Sequence, residues 1–576
     1  MPSPATCRLA SLDEQIAAQH AVIARFDTAL WENGFNAALL PAYQSAWRRL
    51  ETLLAKRDDP RHHFVIVIPV ADSPAQLQRC LASLIELCRA FGYGGMKDGY
   101  FSKVSVLLAD DSESTETIAA NQALVGEFTA KGLAIEYFGL SEQLALLDTL
   151  PDLDLSHIIG NAPREAFGHK GQAIMRNLAY LHLAQRQQSD EPLLVYTLDA
   201  DQQFKVNVDT ADGDVCAVNF FAQLDAIFSA SDADVLTGKV VGDPPVSPAV
   251  MAGTFLDDVA GFLHEMAASD PAQPYYQNAA NTSEADAAYH DMAGLFGFEN
   301  RPASFPYPCR LESEHDHGAC LRDFASRLNA FFFGEHLFRK TWFSYGSGFT
   351  LLTPARTVYP GNYIVNYAGL KYIIPFGHLR LRMSGPTAGR LIAAEIAGRF
   401  ASFNMPNLHR RTTEAGLDDD FRPGVKLGVE QQSIDLSNEF ERQFFGDLML
   451  FSTEELVKEA DVNQPFAREA IEAVIARKEA ELLALYQQKH DAIVGKNRQL
   501  NELVFNAGHW WLNSPELAAA LRQVQAFIDN IDRNFGERAL AWHQIQSAGH
   551  RAERKRQIVE ALMNYRAERD AWDSLF

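Results

Sequence analysis

Two aspartates two residues apart, Asp199 and Asp201, follow the apolar run LLVYTL at 193–198. At a strand end their Cα atoms would stand roughly 6 to 7 Å apart with both side chains on one side. That placement suits a divalent cation of the Mg2+ or Mn2+ kind, which takes carboxylate and phosphate oxygens. A solvated turn is the competing reading. A second acidic pair, Asp110-Asp111, closes the run VSVLLA at 104–109, where one carboxylate can accept hydrogen bonds from a ligand and the other can cap the next helix. Asp72 stands just beyond Pro69, the end of the run FVIVIP, and suits either a ligand loop or a cap ahead of Gln76. Between these acids lies Gly168-His169-Lys170-Gly171, whose glycines permit close backbone approach. Lys170 and Arg176 could neutralise phosphate, although a structural salt bridge competes for Arg176 and its neighbour Asn177.

These residues need a scaffold that brings distant segments to one edge. The β-branched runs at 64–68 and 104–109 flank a stretch in which Leu77, Leu81, Leu84, Ile85 and Cys88 recur at helical spacing. Strand, helix, strand in that order calls for a right-handed crossover and an open parallel sheet. The alternation continues through a strand at 134–138, a helix over about 171–187, the strand at 193–198, a helix near 218–229 and a strand at 234–241. Ligands of such sheets bind beyond the carboxyl ends of the strands, where every acid named above falls.

The predicted fold class is α/β: a Rossmann-like domain with a mainly parallel sheet, a helical extension over 1–58 and a helical carboxyl-terminal domain over 431–576. The central domain spans 59–430 and carries an insertion at about 268–322, rich in Ala, Asn, Asp, His, Pro and Tyr with little periodicity. Order returns at Tyr345-Gly346-Ser347-Gly348, and the spacing predicts a helix over 391–400. Pro465 and Asn513-Ser514-Pro515 punctuate the helical end.

Composition narrows the partners. Over 576 residues, 51 basic against 74 acidic side chains leave a formal charge of −23, which repels nucleic acid and anionic membranes. The six cysteines form no CxxC pair and no dense framework, which fits reduced thiols in a cytoplasm. The amino terminus lacks the apolar core of a signal peptide, and no run approaches the roughly 18 to 20 residues that span a bilayer.

Four features occur in one order: FVIVIP leading to Asp72, VLLADDSES, GHKGQAIMRN and YTLDADQQF. In this the sequence resembles the family-2-like glycosyltransferases of the GT-A fold, in the nucleotide-diphospho-sugar transferase superfamily, over roughly residues 62–245. The resemblance implies a metal-dependent transferase using Mn2+ or Mg2+ and a nucleotide-sugar donor, with UDP- or GDP-sugars favoured and the acceptor unidentified. It implies donor contacts from Pro69, Asp72, Asp110, Asp111, Lys170, Arg176 and Asp199. Asp201 would serve chiefly the metal and the catalytic step, and Asp199 the ribose and the metal's surroundings.

The acceptor half departs from the pattern. Inverting members usually carry an acidic pair before a helix, whereas the corresponding stretch, Met383-Ser384-Gly385-Pro386-Thr387-Ala388-Gly389-Arg390-Leu391, holds no acid. Another base, a retaining mechanism or a different alignment would account for this. Glu314 and Asp316, in the dense cluster Glu312-Ser313-Glu314-His315-Asp316-His317, are the candidate catalytic acids, with a solvated loop as the alternative. His378 is the candidate third metal ligand, although a lone histidine is more often structural. Arg380 and Arg382 would share a face if HLRLR were extended and could hold an anionic acceptor. Trp510-Trp511, Tyr345 and Phe331-Phe332-Phe333 read as core before carbohydrate-stacking platforms.

Two other functions compete. Nucleotidyl transfer onto a sugar phosphate normally needs a Gly-rich basic loop after the first strand, which VADSPAQLQ does not supply. A non-catalytic nucleotide-sugar-binding module, whose helical ends recruit partners, is the other. Under any of these readings the helical regions could also pair copies of the chain into a homo-oligomer.

Overall fold

A computed structural model describes the chain except residues 1–10, 33, 152, 154, 161–166, 187–191, 209–213, 276–304, 312–313, 344, 346–347, 359–360, 413–423 and 429–432. Cys7, most of the expected insertion, Glu312, Ser313, Gly346 and Ser347 therefore lie outside the described residues.

Among the described residues, nine strands make the central sheet. They are β1 (His63–Val70), β2 (Val104–Asp110), β3 (Ala134–Phe138), β4 (Leu193–Thr197), β5 (Gln202–Gln203), β6 (Val235–Gly242), β7 (Leu352–Pro354), β8 (Tyr363–Asn366) and β9 (Phe400–His409). Their order is β7-β9-β6-β8-β4-β1-β2-β3, with β5 pairing β9. β1 is parallel to both β2 and β4, β2 is parallel to β3, and β6 is parallel to β9. β8 runs against its neighbours β4 and β6, so the longer strands on either side of it share one direction. This is the α/β, mainly parallel, GT-A-like architecture.

Both faces of the sheet are covered, which is why β1 and β2 read as continuous apolar runs rather than alternating ones. Phe64, Ile66 and Ile68 of β1 point into a core shared with the helices Leu12–Trp31, Leu40–Leu54 and Pro74–Phe91. Val65 and Val67 point the other way, against the helix Gln172–Arg186 and part of the helix Ser384–Ile396. A third core joins the helices Pro248–Ala268 and His317–Arg327 to Glu439–Glu459, Arg468–Val504 and Ala518–Phe535. The carboxyl-terminal helices thus bury their apolar faces against segments next to the insertion. Phe331, Phe332, Phe333 and Trp511 lie in that core, as core aromatics should.

One element differs from expectation. The helix read at 391–400 spans Ser384–Ile396; the chain reverses at Ala397, whose φ is 44°, and Phe400 opens β9. β9 pairs with β6, β7 and β5, so neighbours on both sides supply hydrogen bonds that its polar sequence does not advertise. Its last residue is His409. Among the described residues no helix is long and apolar enough to cross a membrane.

Candidate functional site

The acids at the strand tips meet through one segment, residues 169–176. Asp111 follows β2, and its amide donates to the carbonyl of Val70 at the end of β1 (2.8 Å). Lys170 donates to Asp111 Oδ1 (2.6 Å) and Gly171 N to Asp111 Oδ2 (3.0 Å). His169 Nε2 lies 2.5 Å from Asp72 Oδ2, beyond the end of β1. Arg176, one turn into its helix, pairs with Asp199 beyond β4. The four motifs read in the sequence therefore converge where β1, β2 and β4 end, β1 lying between the other two.

The backbone is strained at this junction. Asp72 and His169, partners of one another, both adopt positive φ (48° and 46°). Such non-glycine residues persist only where their surroundings hold them, and they concentrate at functional sites. Gly171, at φ 97°, supplies the reversal that admits its amide to Asp111.

The acids divide into two kinds. Asp110 is saturated internally: Oδ1 accepts from Ser112 N (2.9 Å), and Oδ2 accepts from Asn121 Nδ2 (3.0 Å) and the Tyr137 hydroxyl (2.9 Å). It braces the loop after β2. Pro69 is likewise a buried member of β1, opposite Ala109 of β2. Asp111 and Asp199 are held by cations instead. Burial lowers the pKa of Lys170 against the pull of Asp111. For Arg176 burial again opposes the charge, but Asp199, Tyr363 and Tyr180 prevail and the guanidinium stays charged. Lys170 and Arg176, expected to meet phosphate, are in this state partners of the strand-tip acids.

Asp201 faces a second group of tips. Its Oδ2 lies 3.2 Å from His409 Nε2 and 3.0 Å from Arg411 Nη1. His409 Nδ1 in turn lies 2.8 Å from the carbonyl of Asp243, just past β6. The carbonyl can only accept, so Nδ1 donates to it, and this orients the ring with Nε2 toward the Asp201 carboxylate. Sequence reasoning missed His409. The available signal was a His-Arg-Arg triplet closing the segment at 400–411.

His378, the expected third ligand, has another partner: Nδ1 bonds the carbonyl of His157 (3.1 Å) and the two rings stack 4.2 Å apart. Burial, with His157 beside it, pushes its pKa down to about 4. The extended HLRLR is also corrected. Residues 377–379 form a 3-10 turn and Arg380 is left-handed (φ 51°), so the alternation is lost. Arg382 is paired with Glu439 at 2.5 Å. Glu314 is exposed on the loop before the helix His317–Arg327, and Asp316 caps that helix, accepting from Ala319 N (2.6 Å). Neither is brought to the strand tips by these contacts.

Behind Asp201 lies a buried charge network. Asp243 pairs with Lys340 and accepts from Arg411 N (2.8 Å). Lys340 also reaches Glu335 (3.1 Å), whose carboxylate accepts from Arg310 (3.2 Å), Arg327 (3.2 Å) and the Thr412 hydroxyl (2.5 Å). Burial alone would raise the Glu335 pKa, but Lys340, Arg327, Thr412 and Arg310 hold it down near 2. A depressed carboxyl contributes stability above its unfolded value, near 4.5, and loses it as pH falls through about 2. Glu335→Gln is therefore expected to lower stability at neutral pH by roughly 1.5–3 kcal/mol and to flatten this acid dependence. Urea unfolding at pH 7 and pH 3 measures both.

A cavity of about 470 Å3 lies by the amino-terminal halves of β1, β2 and β3, lined by residues including Val65, Ser105, Ala134, Glu136 and Arg186. It is at the opposite end of those strands from the acids.

No family model matches the sequence, and no curated protein matches it. Among solved structures the chain is similar to the mannosyltransferase PcManGT from Pyrobaculum calidifontis in complex with GDP-Man and Mn2+ (10% identity, 90% of this chain and 99% of that one, TM-score 0.28). It is similar to mouse xyloside xylosyltransferase 1 in the apo form (14% identity, 37% of this chain and 62% of that one, TM-score 0.19). S. aureus TarS matches at 13% identity over 86% of this chain and 55% of that one, with a TM-score of 0.28.

Proposed function

We propose that the chain is a metal-dependent glycosyltransferase that takes a nucleotide-diphospho-sugar as donor, with residues 59–430 as its catalytic unit. The observation that carries this is the convergence of Asp72, Asp111, Asp199 and Asp201 on the carboxyl ends of neighbouring strands, with His169, Lys170, Arg176, His409 and Arg411 as their partners. A chain of formal charge −23 needs local cations to hold a diphosphate, and this is where basic groups are drawn against the acids.

The donor set suits a divalent cation. The carboxylate of Asp201 and the Nε2 of His409 would hold it, with Asp199 alongside; oxygen ligands fit Mg2+ or Mn2+, and the imidazole favours Mn2+ of the two. Bound there, the ion would neutralise charge developing on the departing diphosphate. The protein's own contributions follow from the contacts. Asp111 fixes the 168–171 turn through Lys170, the Asp72–His169 pair shapes the loop beyond β1, and Arg411 adds positive charge beside Asp201.

We further propose a retaining outcome. The stretch from Met383 to Leu391 contains no acid. The carboxylates behind Asp201, those of Asp243 and Glu335, are both ion-paired with Lys340, and Glu335 is held far below the pKa a general base needs near neutral pH. Proton NMR of the product anomer tests this; inversion would count against it.

Titration calorimetry with UDP-, GDP-, ADP- and dTDP-sugars, with and without Mn2+, followed by donor-hydrolysis assays, tests the function itself. Binding of one base class, strengthened by Mn2+, is expected; no binding of any of them would refute the proposal. His409→Ala is expected to weaken Mn2+ binding about 10- to 100-fold, whereas His378→Ala leaves it unchanged. Mn2+ titrations of both variants separate the two histidines.

A further inference from the structure

Outside the strand tips, Cys309, His315 and Cys320 place one ligand atom each so that all three lie within 4.8 Å of one another. Cys309 Sγ and His315 Nε2 are 3.2 Å apart. A tetrahedral zinc ion, with bonds of about 2.3 Å to sulfur and about 2.0 Å to nitrogen, sets its ligands about 3.5 to 3.8 Å apart. The three atoms are thus already gathered at the span one ion requires. We propose that Cys309, His315 and Cys320 bind one Zn2+ as a structural clip, a site separate from the Asp201 centre and independent of the donor chemistry.

The chemistry selects the metal. Two thiolates and an imidazole are a soft donor set that suits zinc and disfavours Mg2+ and Mn2+, and these three ligands fall short of the four protein ligands an iron–sulfur cluster takes. Binding displaces the two thiol protons to solvent and forms two Zn–S bonds and one Zn–N bond, with no change of oxidation state. A water would take the fourth position.

The local fold supplies the supports such a site needs. Both sulfurs are buried. Cys320 lies in the first turn of the helix His317–Arg327, and the Asp316 cap fixes how the His315 loop enters it. Tyr275 N donates to the carbonyl of His315 (2.8 Å) and Cys309 N to that of Tyr307 (3.1 Å), so the backbone on both sides of the proposed ion is fixed. Next to Cys309, Arg310 reaches Glu335 in the network behind Asp201. The clip would hold that arm in place.

The test uses the full chain purified without chelator. Elemental analysis is expected to find one zinc per chain, released in step with titration of the thiols by an organic mercurial. Cobalt substitution is expected to give a thiolate-to-metal charge-transfer band. Cys320→Ser should reduce bound zinc at least about tenfold, while Asp201→Ala keeps it. Absence of zinc from protein equilibrated with buffered Zn2+, zinc retained in Cys320→Ser, or a Cys309–Cys320 disulfide in the native protein would each overturn the proposal. Should Cys320→Ser fail to fold by circular dichroism, mercurial release and the cobalt band of the wild-type chain still decide.

Discussion

Asp201→Ala is expected to lower sugar transfer by about three orders of magnitude or more, because a carboxylate that holds the diphosphate's counter-ion acts where the transition state gains charge. A thousandfold loss corresponds to ~4 kcal/mol of barrier, the size expected for losing a preorganised electrostatic contact at the reacting group. The same change removes an oxygen partner of both His409 and Arg411, so stability must be read beside activity. Initial rates at saturating donor and Mn2+, with a thermal melt as control, make the measurement. A variant that melts like the wild type and keeps more than a tenth of its rate would contradict the role given to Asp201.

The second large effect is on stability. Lys170 and Asp111 are a buried pair, their side chains 3% and 5% exposed, and Asp111→Ala leaves the ammonium with the Phe167 carbonyl (2.8 Å) and the Phe167 ring (4.6 Å) as its described contacts. Breaking a buried pair from one side costs about 3–5 kcal/mol, whereas replacing both members by apolar groups is often near neutral. Asp111→Ala is therefore expected to unfold at markedly lower urea, and Asp111→Ala combined with Lys170→Met to recover much of the loss. Nucleotide binding should stay poor in both, since the 168–171 turn has lost its anchor in each. Equal stability of the single and double variants would contradict this, because the ammonium left unpaired by Asp111→Ala would then carry no cost.

Much of this site was legible in the sequence because parallel strands buried on both faces announce themselves. β1, β2 and β4 are largely apolar runs with Asp72, Asp110-Asp111 and Asp199 at or within two residues of their ends, and these acids fall at the tips where the topology puts ligands. β9 was not legible. Ser402, Asn404, Pro406 and Asn407 interrupt its apolar pattern, and its strand form is imposed by β5, β6 and β7. With the predicted helix ending at 400 and no element read over 401–409, His409 had no reason to lie beside Asp201, and His378 stood as the candidate third ligand. Spacing failed differently at Arg380: alternation of residue types says nothing of a left-handed backbone. The cysteines misled as well, since Cys309, His315 and Cys320 are six and five residues apart with no CxxC, and only the fold brings them together.

Electron paramagnetic resonance of Mn2+ bound with the nucleotide-sugar donor most directly tests whether the strand tips grip a cation that bridges protein and diphosphate. Hyperfine coupling from phosphorus and from one histidine nitrogen on the same ion is expected, with the nitrogen signal lost in His409→Ala and kept in His378→Ala. A manganese ion coupled to no phosphorus, or to a nitrogen that survives His409→Ala, would contradict it.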